Sequence, residues 1–145
     1  VAVPSIEVNF RDVSIRINTN LSAENPNVFG DEMHITNIIY NLLDNAAKYS
    51  GAEPKILIET VSDKTGITIS VEDNGKGIPK EYRKMVFEKF FRIPTGNVHD
   101  VKGFGIGLNY VKSITKAHHG SVKITNGSGT GARFEVRLPY GTEFD

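Results

Sequence analysis

The period of the apolar positions changes several times along the chain, and each change marks an element. Alternation in Ile6-Glu7-Val8-Asn9-Phe10 and in Val13-Ser14-Ile15-Arg16-Ile17 predicts two short strands near the start. Asn25-Pro26-Asn27 reads as a turn leading into Val28-Phe29-Gly30. Asp31 suits a helix N-cap, and Glu32 is well placed in the first turn. Ile35, Ile38, Ile39, Leu42, Leu43, Ala46 and Ala47 then recur at three/four spacing, which predicts an amphipathic helix stopped by Ser50-Gly51. Lys55–Val61 and Gly66–Val71 read as a hairpin about Ser62-Asp63-Lys64. Glu72–Pro79 reads as a loop, with Pro79 suited to the first turn of a short helix through Arg83–Phe91. Polar, glycine-bearing Pro94–Lys102 is expected to be a mobile loop. A second amphipathic helix places Leu108, Val111, Ile114 and Ala117 on one face. Strands at Ser121–Thr125 and Ala132–Leu138, joined by the Asn126–Gly131 turn, close the chain. Helices interleave with strands while hairpins stand at both ends, so a mixed sheet is expected.

Composition narrows this picture. With 145 residues, 39% of them hydrophobic, the chain fits one domain with a sizeable core. The absence of cysteine excludes a disulfide scaffold, a thiolate zinc site and a cysteine nucleophile, and fits a reducing, cytoplasmic setting. Seventeen basic residues balance seventeen acidic ones, which argues against a nucleic-acid binder. No apolar run approaches the ~18 residues of a membrane span, so no direct membrane contact is expected of this domain. The chain opens on Val1 rather than Met and is expected to be a fragment of a longer protein. Charge is uneven within the neutral total. From Lys76 to Lys102 seven bases face three acids, whereas the first fifty residues carry six acids and three bases.

Candidate chemistry sits in one helical stripe and three glycine groups. His34, Asn37, Asn41, Asn45 and Lys48 fall within roughly 80° on the first long helix, bordering its apolar face. Amide oxygens suit Mg²⁺, and Lys48 adds a point charge for phosphate; taken alone, the stripe fits a solvated face equally well. Asp73-Asn74-Gly75-Lys76-Gly77 follows a strand and could offer a carboxylate to a ring amino group, or could simply be an Asp-capped turn. Gly103-Phe104-Gly105-Ile106-Gly107-Leu108 opens a helix, where backbone N–H groups favour anions. Its spacing is neither that of the dinucleotide fingerprint nor that of a Walker A loop. Gly129-Thr130-Gly131 alone reads as a hairpin turn.

Together these segments resemble the boxes of bacterial two-component sensor histidine kinases. Asn41-Leu42-Leu43-Asp44-Asn45-Ala46-Ala47-Lys48-Tyr49-Ser50 resembles the N box, and Glu72–Pro79 the first glycine box. Val86-Phe87-Glu88-Lys89-Phe90-Phe91-Arg92 is similar to the F box, and Gly103–Leu108 to the second glycine box. Gly129–Gly131 with Phe134 and Leu138-Pro139 resembles the third. Order and spacing match from Gly30 to Pro139.

The resemblance implies an α+β fold, a two-layer sandwich with a mixed, mostly antiparallel sheet covered by helices on one face, the Bergerat ATP-binding fold. It also implies Mg²⁺ and ATP as cofactors. Asp73 would take the adenine amino group, with Gly77 allowing close backbone approach. Asn45 would ligate Mg²⁺, and Asn41 would help hold metal and triphosphate. Lys48 and Tyr49 would meet the phosphate and ribose side, and Gly105 and Gly107 the phosphates. The wider nucleotide-binding set is Gly75, Ile78, Phe87, Gly103, Ile106, Leu108 and Thr130. Pro94–Lys102 would be the ATP lid, its start anchored by Phe87, Phe90 and Phe91 through ordinary packing. Arg92 would reach the γ-phosphate, making Asn41, Lys48 and Arg92 the catalytic candidates. His118 and His119 resemble the family's helix-end His-Gly pair and read as structural, and His34 and His99 show no metal-binding spacing.

Two departures shape the reading. Asn41 stands where hydrolytic relatives of this fold use Glu, which disfavours hydrolysis and favours transfer to a supplied nucleophile. Ala132 stands where a Ser or Thr is common, which removes one hydroxyl near the adenine. None of the four histidines has a neighbouring Glu-Pro context, so the phosphoacceptor is expected on a separate helical dimerisation domain, with a response regulator downstream. The competing readings are an ATP-hydrolysing clamp and a non-enzymatic or serine-directed partner switch of the same fold.

Overall fold

A computed structural model describes residues 16–21, 32–49, 53, 55–91, 107–126 and 131–140, with the backbone alone at 16–21, 32 and 49. Five strands form one sheet: β1 (Arg16–Leu21), β2 (Lys55–Ser62), β3 (Gly66–Asp73), β4 (Ser121–Asn126) and β5 (Ala132–Pro139), in the order β1-β2-β3-β5-β4. β1 runs parallel to β2, from Arg16 beside Lys55 to Leu21 beside Thr60, and the other pairings are antiparallel. A parallel neighbour requires a crossover, and helix α1 (Glu32–Tyr49) supplies it. The mixed, mostly antiparallel sheet expected from the sequence is therefore present.

Strand alternation sorts the sheet into two faces. Ile56, Ile58, Ile67, Ile69, Val71, Phe134, Val136 and Leu138 are buried together, on the side where α1 and helix α2 (Gly107–Ala117) lie. α1 buries Ile35, Ile38, Ile39, Leu42, Leu43 and Ala46, the apolar stripe of the sequence, with Ala47 half-buried at its edge. The opposite sheet face is polar and centred on Arg133, which bonds Glu59 at 2.9 Å, Glu135 at 3.2 Å and Ser70 at 2.9 Å. These partly buried bonds from Arg133 tie β5 to β2 through Glu59 and to β3 through Ser70.

Several expected boundaries move. The early strand extends from Arg16 to Leu21 because ladder bonds to β2, rather than apolar alternation, hold Asn18-Thr19-Asn20 extended. Residues 1–15, including the expected strand Ile6–Phe10, lie outside the described residues, as do the Asn25–Asn27 turn, the Pro94–Lys102 loop and His99. β3 continues through Glu72 and Asp73, which pair with Leu57 and Ile56, so the glycine loop starts two residues later than expected.

The predicted helix Arg83–Phe91 is instead two 3₁₀ turns, Lys80–Tyr82 and Met85–Phe87, and Pro79 is extended. Tertiary bonding breaks the helix. The Phe87 carbonyl, which an α-helix would offer to Phe91, accepts a 3.2 Å bond from Asn109 Nδ2, and Phe91 N turns to Glu88 O. Phe87 packs edge-on against Phe134, and Phe91 packs beside Tyr82, as the packing expectation holds. Phe90 does not pack: it is 63% exposed, with φ 67°. On α2 the buried positions are Val111 and Thr115, one turn apart, while Ala117 is exposed and belongs to another face. Among the described residues no helix is long and apolar enough to cross a membrane.

Candidate nucleotide site

Two ends of a site are built by different elements. At the first, the last residue of β3 carries a buried carboxylate. Asp73 Oδ1 accepts bonds from Gly75 N at 2.8 Å and from Ala132 N at 3.2 Å, so both commitments fall on one oxygen. Among the described residues no hydrogen bond falls on Oδ2. Burial pushes the Asp73 carboxyl up from its ordinary range; the two backbone N–H groups oppose this and the nearby Glu72 charge adds to it. A side chain at residue 131 would place its Cβ 1.9 Å from Asp73 O and 2.5 Å from Oδ1, so only glycine lets β5 approach this closely. Gly77 holds φ 76°, the left-handed region the loop needs to turn back toward Ile78.

Side chains unflagged by the sequence brace this loop. Asn74 Oδ1 accepts from Lys55 N at 3.0 Å and Asn74 Nδ2 donates to Glu53 O, fastening the loop to the start of β2. Arg83 Nε donates to Ile78 O at 3.1 Å, and its Nη2 donates to Asn126 Oδ1 at the end of β4. Part of the basic excess noted in the sequence is thereby committed inside the fold, while Lys76, Lys80 and Lys84 remain exposed.

The second end is the polar stripe of α1. His34, Asn41 and Asn45 are half-buried and Asn37 and Lys48 exposed, at the rim of the core as the helical angles required. Asn41 Nδ2 donates to Asn37 O at 2.8 Å, which fixes the amide and turns Oδ1 toward α2. That oxygen lies 2.9 Å from where a Cβ on Gly107 would be, so α2 begins against Asn41 because residue 107 has no side chain. Lys48 Nζ pairs with Asp44 Oδ2 at 2.8 Å, one turn back along α1. His34 Nδ1 bonds the Tyr110 hydroxyl at 2.7 Å, linking the two helices.

The structure thus brings Asn41 to Gly107 and Asp73 to Gly75 and Ala132. Ala132 offers the carboxylate its backbone N–H and no side-chain hydroxyl. Leu108 and Ile78 are half-buried beside the core, and Phe87 is buried within it. Arg92, Gly103, Gly105, Ile106, Thr130 and the Tyr49 side chain lie outside the described residues. Asn109, Tyr110, Arg83 and Asn74 were not found from the sequence. Apart from Arg83 with Ile78 O, five residues back, their partners stand 19–76 residues away, where no local pattern connects them.

The family described as Histidine kinase-, DNA gyrase B-, and HSP90-like ATPase matches residues 30–142. The sensor protein RprX of Bacteroides fragilis is 48% identical over 126 residues, which cover 86% of this chain and 24% of RprX. The adaptive-response sensory kinase SasA of a Synechocystis species is 34% identical over 92% of this chain and 34% of its own length. The chain therefore spans about a quarter to a third of these relatives. Among solved structures, the catalytic domain of histidine kinase ThkA superposes with a TM-score of 0.75 at 27% identity, covering 88% of this chain and 81% of that one. The mycobacterial sensor histidine kinase MprB gives 0.74 at 28% identity, covering 87% and 82%. A full-length ShkA structure in complex with AMPPNP gives 0.74 at 28%, covering 88% and 26%. Fold, boxes and relatives agree, and the chain belongs to the histidine kinase, gyrase B and HSP90-like ATPase family as an ATP-binding catalytic domain of the sensor histidine kinase kind.

Proposed function

We propose that this domain binds Mg-ATP across the two ends described above and delivers the γ-phosphoryl group to a histidine on a separate helical domain of the parent protein, for relay to a response regulator. The observation that carries this reading is Asp73. A buried carboxylate with one oxygen committed to backbone N–H groups and the other available calls for a ligand donor, and an adenine amino group is one. Asn41 and Asn45 fit Mg²⁺, since they present amide oxygens on one stripe, and one of them is already oriented by its own Nδ2 bond. Bound there, Mg²⁺ would neutralise phosphate charge.

The remaining work falls to the chain. Backbone amides at the start of α2 receive phosphate oxygens, and Gly107 allows that approach. Lys48, held on the stripe by Asp44, and Arg92 supply positive charge. Tyr49, Gly75, Gly77, Ile78, Phe87, Gly103, Gly105, Ile106, Leu108 and Thr130 complete the nucleotide contacts. Asn41 offers no carboxylate to activate water, so transfer to a supplied nucleophile is favoured over hydrolysis. ShkA, a structural neighbour, is described in complex with AMPPNP, which supports nucleotide as the ligand class.

Calorimetry with Mg-ATP tests the reading. Saturable binding is expected from the unaltered domain, with a loss of at least tenfold in Asn45→Ala and in Asp73→Asn. Transfer is expected only when the parent's histidine-bearing helical domain is added. Absence of nucleotide binding by the folded domain overturns the proposal, and rapid hydrolysis by the isolated domain would move it to the clamp class.

A further inference from the structure

The first turn of α2 meets both other walls of the site. Asn109 Nδ2 holds Phe87 O at 3.2 Å, and Gly107 rests against Asn41 Oδ1. One turn after Gly107, the Tyr110 hydroxyl bonds His34 Nδ1 at 2.7 Å, with the rings tilted at 44° and 6.0 Å apart. His34 and Asn41 stand seven residues apart on one stripe of α1, about 10 Å along the axis, while Gly107 and Tyr110 stand about 5 Å apart on α2. The helices therefore meet at two points and run in opposite senses. At the Gly107 point α2 contributes no side chain. The hydrophobic driving force between the helices is non-directional, whereas a short hydrogen bond specifies both a distance and a direction.

We infer that Tyr110 is a positioning residue, acting through His34, that sets where the N-terminus of α2 stands against the amide stripe of α1. The consequence falls on the phosphate end of the site and leaves the Asp73 end, built by β3 and β5, unaffected. This rests on the reading of Asn41, Asn45 and Gly107 as the triphosphate and metal end. The inference also accounts for an otherwise unexplained pairing of a histidine and a tyrosine 76 residues apart.

Tyr110→Phe removes the hydroxyl and keeps the ring against His34. Two measurements decide the matter on the whole domain. Hydrogen exchange without nucleotide is expected to quicken at the amides of Val111–Ser113, which bond back to the first turn of α2, while the melting temperature stays within a few degrees. Mg-ATP is expected to bind about fivefold to tenfold more weakly, the loss of one net hydrogen bond, while adenosine titrated by NMR binds as it does to the unaltered domain. Unchanged exchange together with unchanged Mg-ATP affinity overturns the inference. Equal weakening of adenosine and Mg-ATP with a lowered melting temperature also overturns it, since that outcome marks a general structural role. If the unaltered domain binds neither ligand, the proposed function falls, and the exchange measurement alone decides whether the pair fixes α2.

Discussion

Burial and ionisation oppose each other at Asp73. Its carboxyl is raised by desolvation, so the folded chain holds this proton more tightly than the unfolded chain does. The sign follows from linkage: the favourable contribution is full below the unfolded carboxyl's ordinary range near 4 and is lost as pH rises through the folded value. At neutral pH the ionised group therefore costs stability that a ligand donor can offset. Asp73→Asn keeps an oxygen for Gly75 N and Ala132 N and removes the charge. We expect it to raise the melting temperature of the domain at pH 7 while abolishing Mg-ATP binding. A lowered melting temperature by calorimetry would show that the charge is already compensated. Asp63 behaves oppositely. Arg137 and the backbone and hydroxyl of Thr65 hold its carboxyl well below the usual range, so its contribution is present at neutral pH and fades in strong acid.

At the scale of elements, the end of α2 shows two residues dividing one task. Gly120 N bonds Thr115 O at 2.9 Å and His119 N bonds Lys116 O at 3.0 Å, the paired closure of a Schellman motif. The left-handed position is His119, with φ 62°, although glycine is the usual occupant. Glycine comes one residue later because a Cβ on Gly120 would lie 2.0 Å from Arg137 O on β5. His119→Gly is therefore expected to be neutral or stabilising by up to about 1 kcal/mol, since it relieves the left-handed cost. Gly120→Ala is expected to cost several times that, because its obstacle is strand backbone. Equal effects of the two in urea denaturation would contradict this division. The sequence read these histidines as a helix end, and that reading holds. α1 was also legible, because thirteen positions of uninterrupted three/four periodicity leave no competing pattern. The F-box segment was not. Its 86/87/90/91 spacing suits a helix, yet Asn109, eighteen residues beyond Phe91, captures the carbonyl on which that helix depends.

Across the whole molecule, the two ends of the site are held by different kinds of information. The Asp73 end and the asparagine stripe stand out in sequence because residue type and spacing carry their chemistry. Their mutual placement does not. It depends on Asn41 meeting Gly107, Ala132 meeting Asp73 and Arg83 meeting Asn126, contacts between segments 43–66 residues apart that only the completed sheet provides. The Arg133 cluster on the far sheet face was equally hidden. Glu59, Ser70, Arg133 and Glu135 occupy ordinary polar positions of their strands and acquire a common purpose only when register aligns them.

The parallel strand at the sheet's edge has a practical consequence for self-association. β1 covers the outer backbone of β2 from Lys55 to Thr60, six residues of a strand that buries Ile56 and Ile58. A version of the domain begun after Leu21 would keep every candidate ligand-binding residue and the whole apolar core of α1. It would also bare a straight row of N–H and C=O groups, which is a template for another chain. Such a shortened domain is expected to form oligomers or aggregates in light scattering under conditions where the longer one does not. If it stays monomeric, some other part of the chain must guard β2. On this expectation, a strand that carries none of the candidate nucleotide-binding residues limits how far the domain can be shortened at its start.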